Sequence, residues 1–194
     1  MENKQSKQTG FKIFFAFAVL AGIYFAYQNY TSEQPPPLSD KALYLNFCKQ
    51  IILKSAAIDK TFAPFEVART HQNMVGATKI ALNIKGILLE EWGQLDSIEV
   101  PEFKNQKVAD DAKQIKDIIV LAYTYRQDMI KVFLKAAQNT NTYLIAEFQD
   151  DGEKSEQGIM VGVSKMLEVG KEVGMTDNEI KALINFMKQP TITP

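Results

Sequence analysis

The chain holds one histidine and one cysteine, which closes off the chemistry that imidazoles and thiolates do in groups. No internal disulfide can form, and no metal site can be assembled from several His or Cys ligands. His71 is of the right type for a general base or a pH-sensitive group, because an imidazole ordinarily titrates near neutrality. Its setting, Arg69-Thr70-His71-Gln72-Asn73, reads instead as a solvated helix face. Cys48 is the one candidate thiol nucleophile, yet it stands beside Phe47 and Ile51 on an apolar face, where cysteine packs as a small hydrophobe.

Paired carboxylates occur at Glu90-Glu91, Asp110-Asp111 and Asp150-Asp151. The text around Gly152 fails the oxygen-ligand spacing of a calcium loop. No Glu-x-x-His pair for a di-iron bundle, no Cys-x-x-Cys-His for attached haem, no phosphate-binding GxxxxGK[ST] and no GxSxG elbow is present. The expectation is a protein that is not an enzyme and carries no cofactor and no metal. Its 22 Lys and Arg against 23 Asp and Glu leave a net charge of -1, so nucleic acid is not an expected partner.

Small residues at helical spacing give the remaining candidates. Gly158 and Gly162, then Gly170 and Gly174, recur at spacing four, with Met160, Met166 and Met175 beside them. Glycine inside a helix costs about 0.5–1 kcal/mol against alanine, so several on one side mark a close approach by another element. That element is a neighbouring helix of the same bundle, a partner protein or a ligand; Gly158, Gly162, Met166 and Gly170 are the candidate interaction face. Ala18, Gly22 and Ala26 form a second such stripe and are the candidates for helix packing within a membrane, for a homodimer or for a docked partner.

The elements that must position these residues begin with an anchor. From Ile13 to Tyr27 every residue is apolar, aromatic or Gly, and the flanks extend the run to residues 11–30. About 20 residues at 1.5 Å each reach about 30 Å, the thickness of a hydrocarbon core. Lys4, Lys7 and Lys12 precede the run and Glu33 and Asp40 follow it, so residues 1–10 are expected to be a cytoplasmic tail. The small-residue pattern of a cleaved leader is weak here, which favours a signal anchor in contact with membrane lipid. Residues 31–39 contain Pro35-Pro36-Pro37, a semi-rigid spacer.

Beyond the spacer the apolar period is 3.6, and no stretch alternates as a strand would. The expected helices are 40–61 with Ser39 as N-cap, 64–92 with Pro64 at its first position and Gly93 closing it, about 102–138, 155–173 with Gly174 after it, and a short fifth. In the second the apolar stripe is read through Ala68, Val75, Ile80, Ile84, Ile87, Leu88 and Trp92. Asp150-Asp151-Gly152 reads as a turn, and Thr176-Asp177-Asn178-Glu179 as the capping box that opens the fifth helix, stopped by Pro190. The fold class is therefore all-α: a single transmembrane helix, a spacer, an antiparallel bundle of four to five helices over residues 40–189 and a tail, 190–194.

The expected function is that of a single-pass protein of a bacterial inner membrane, its helical domain periplasmic, acting as an interaction or assembly subunit with other membrane or periplasmic proteins. The alternative is a ligand-binding or sensory bundle for a small apolar molecule held among Tyr123, Tyr125, Phe133 and the methionines of the fourth helix.

Overall fold

The computed structural model of the protein describes residues 38–138 and 142–188. The apolar run, with Ala18, Gly22 and Ala26, and the proline spacer lie outside these residues. Among the described residues no helix is long and apolar enough to cross a membrane, and none is in a strand.

Ser39 opens α1, Asp40–Thr70: its backbone is extended and its hydroxyl accepts from the Ala42 amide at 3.3 Å, satisfying an orphan donor of the first turn. Asp40 ties that end down by accepting from the Lys104 and Asn105 amides at 2.9 and 3.0 Å. The expected break before Pro64 does not occur, and α1 continues through it. An interior proline costs about 3 kcal/mol. Phe62 and Phe65 flank it on the buried face, and burying each aromatic stabilises the helix by about 1.5–3 kcal/mol, which outweighs the lost donor.

The chain turns at residues 71–73, where Gln72 takes φ 58° and Asn73 caps α2, Met74–Asp96, by accepting from the Gly76 amide at 2.9 Å. Gly93 does not end α2 but lies inside its last turn. The nine-residue connection to α3, Gln106–Gln138, contains Pro101. The expected turn at Asp150-Asp151-Gly152 is also absent, because α4, Thr142–Glu172, is one helix across it. Asp151 and Ser155 are buried there, and Gly152 lets the Met129 methyl come to 3.3 Å from where a Cβ would stand, so packing holds the segment helical. Gly174 at φ 82° then reverses the chain. The capping box opens α5, Asp177–Lys188: the Glu179 amide donates to the Thr176 hydroxyl at 3.3 Å, and the Glu179 carboxylate accepts from the Thr176 amide at 2.7 Å.

Cross-helix bonds fix the order. Lys54 donates to Gln94 and Thr61 to Glu91, so α1 and α2 run antiparallel. The Trp92 indole donates to Thr124 Oγ1 at 3.1 Å and joins α2 to α3. Glycines of α4 pack along α3 in the antiparallel sense, Gly158 on Ala122 and Gly162 on Ile119. The Tyr44 hydroxyl donates to the Met166 carbonyl at 2.8 Å and closes α1 onto α4. Among the described helices, α2 packs on α1 and α3 alone.

Candidate functional site

The side chains with the most chemical potential are dispersed. His71 caps the C-terminal end of α1, exposed, with its Nδ1 2.8 Å from the Val67 carbonyl. Cys48 is buried on the same helix, about 34 Å away at 1.5 Å per residue, so thiol and imidazole form no pair. Burial pushes the Cys48 thiol up to about 12, which leaves it protonated and inert at neutral pH. At least one member of each acidic pair has a structural partner: Asp111 accepts from Lys107 and from Lys165 across α3 and α4, Thr61 reaches one Glu91 oxygen, and Lys154 donates to Asp150. Asp151 is buried and its carboxyl is raised, first by burial and then by Asp128 and Glu147.

The glycine stripe of α4 is seated against α3 of the same chain. A Cβ on Gly158 would stand 2.8 Å from the Ala122 Cβ, and one on Gly162 would stand 2.4 Å from Ile119 Cδ1. Gly170 faces Met175 Sδ at 3.0 Å, and Met166 is buried. The close approach those residues allow is filled by α3 and by the turn before α5.

The aromatic set has three addresses. Tyr123 lines a recess of about 160 Å³ with Ile51, Ile119 and Met166, and donates to Asp59 at 3.0 Å. Tyr125 lies under the Lys154 ammonium at 5.5 Å. Phe133 packs edge-on against Phe65 at 4.9 Å in a cluster with Phe148. A wider cleft of about 460 Å³ opens between α1, α3 and α4. Arg126 stacks over Phe62 and Tyr123 there, Arg69 over Phe148, and Ser155 sits at the wall, 1% exposed, with no partner for its hydroxyl.

The outward face of α2 is different in kind. Val75 is 85% exposed, Leu82 62% and Leu89 58%, and their spacing of seven residues places them on one line along the helix. Gly86 and Gly93 lie on a neighbouring line of the same face, four residues after Leu82 and Leu89, and a Cβ on either would meet nothing within 4 Å. Gly86 is exposed and Gly93 half-buried; glycines weaken a helix, and no neighbouring side chain inside the fold requires these two. Beside the stripe a groove of about 220 Å³ runs between α2 and α3, walled by Leu82, Leu88, Leu89 and Ile130. Gln127 forms part of it, 9% exposed, its Nε2 without a partner.

This stripe is missed when α2 is read by its apolar content, because Val75, Leu82 and Leu89 put apolar side chains on the face opposite Ile80, Ile84 and Leu88, and residue type alone does not rank the two faces. The buried face is Ala77, Ala81, Ile84, Leu88 and Leu95, whereas Val75 and Ile87 face outward. The signal that finds the stripe is the seven-residue repeat of Val75, Leu82 and Leu89 with glycines interleaved. Compared with family models, curated proteins and solved structures, the chain matches none.

Proposed function

We propose that the chain is a non-enzymatic, single-pass membrane protein whose helical domain docks other proteins outside the cytoplasm, as an interaction or assembly subunit of a bacterial envelope complex. The observation that carries this reading is the line of Val75, Leu82 and Leu89 on α2, each more than half exposed, with the open positions Gly86 and Gly93 beside it. Apolar side chains in a row on one helix favour burial by a partner, and glycines at the contact let a second backbone come close. The anchor and proline spacer hold such a domain near the bilayer, where envelope partners assemble. A photo-crosslinking residue at Leu82, introduced in cells, is expected to give discrete adducts whose mass spectra map to proteins of the envelope. A residue at exposed Lys181 on α5 serves as the control, and equal, diffuse labelling at both positions contradicts the reading.

A second reading, a bundle that binds a small molecule, is favoured by the unpartnered Ser155 hydroxyl at the cleft between α1, α3 and α4. Native mass spectrometry of protein purified from its membrane tests it. The expected result is a bound mass that disappears in Gly152→Leu, whose side chain would meet Met129.

A further inference from the structure

We propose that the outward face of α2 pairs antiparallel with the same face of a second copy of this chain. The inference rests on the docking reading above and names its occupant. Seven-residue spacing sets two interleaved rows, Val75, Leu82 and Leu89 in one and Lys79, Gly86 and Gly93 in the other. Antiparallel helices that meet along such a seam place each residue of one row opposite a residue of the other. With a two-fold axis in the seam midway along the helix between Leu82 and Gly86, Leu82 falls opposite Gly86 of the second copy, and Val75 opposite Gly93 of the second copy. Leu82 and Val75 thus each enter the gap that a glycine leaves, twice per dimer.

Charge follows the same register. Leu89 falls opposite Lys79 of the second copy, whose aliphatic stem covers the leucine while its ammonium reaches the adjacent Glu90. Among the described residues neither Lys79 nor Glu90 enters an ion pair within the chain. Both are exposed beside the seam. The register also has a cost: Lys85, on the rim toward α3, comes near Lys85 of the second copy, and both side chains must turn into solvent.

Sedimentation equilibrium of the full chain in density-matched detergent tests the pairing. The expected result is a dimer that Lys79→Glu and Glu90→Lys each weaken about fivefold and that the swapped double variant restores. Gly86→Leu is expected to abolish the dimer while the melting temperature of the monomer stays level or rises, because that position looks into open space. Lys85→Gln is expected to tighten the dimer about twofold to threefold. A chain that is monomeric at about 100 µM overturns the proposal, as does a double variant no better than the singles. A dimer that survives Gly86→Leu also overturns it, since another surface then holds the copies together. If the chain is monomeric and Leu82 still crosslinks to other proteins, self-pairing fails and the docking reading stands; if it crosslinks to nothing, both fail.

Discussion

Glu179 and Asp151 are carboxylates whose surroundings act in opposite directions. Lys41 lies 2.7 Å from Glu179, and with the Thr176 amide and hydroxyl it holds that carboxyl down to about 2. A glutamate in the unfolded chain titrates near 4.3, so the ionised form favours the fold; that contribution is complete above about pH 4.3 and is lost as pH falls through about 2. Glu179→Gln is expected to lower the melting temperature at pH 7, with a difference that shrinks between pH 4 and 2 in thermal scans. Asp151 is raised by burial, so its protonated form favours the fold, and its penalty appears as pH climbs through the raised value. Asp151→Asn is expected to raise the melting temperature at pH 7 and to leave it unchanged near pH 3. Cys48, held protonated in the core, is expected to react with a thiol reagent only after unfolding, at the rate of the unfolding step.

At the scale of helices, glycine separates two kinds of contact. Gly162 sits where an added Cβ would overlap Ile119, so Gly162→Ala is expected to destabilise the fold by about 1–3 kcal/mol in denaturant titrations. Gly86 sits in open space, so Gly86→Ala is expected to stabilise it by about 0.5–1 kcal/mol. The same contrast explains which elements were legible in the sequence. The long period of α3, the Ser39 cap, the Gly174 reversal and the Thr176 capping box depend on local chemistry and are found where the residues place them. Pro64 and the Asp150-Asp151-Gly152 corner are also local signals, but tertiary burial overrides them. Phe62 and Phe65 carry α1 past its proline, and the seat of Gly152 on Met129 keeps α4 intact. In α2 the residue types point to a buried helix without saying which face is buried, because its neighbours are set only once α1 and α3 flank it.

For the whole molecule, the sequence carries the class of the fold, a helical bundle with five helices among the described residues, and the glycine positions where elements meet. It does not carry the exposed apolar stripe of α2, since exposure depends on which side of that helix the others leave uncovered. A domain with dispersed titratable groups and one lined-up apolar face is suited to being held by others. The proposed anchor and spacer give it a place to be held. Thiol labelling in native membranes tests this most directly, using Leu82→Cys and Lys181→Cys with Cys48 buried and silent. The account predicts that Leu82→Cys is protected in the membrane and labels freely once the protein is purified and diluted, while Lys181→Cys labels alike in both. Equal labelling of the two positions in native membranes would contradict it.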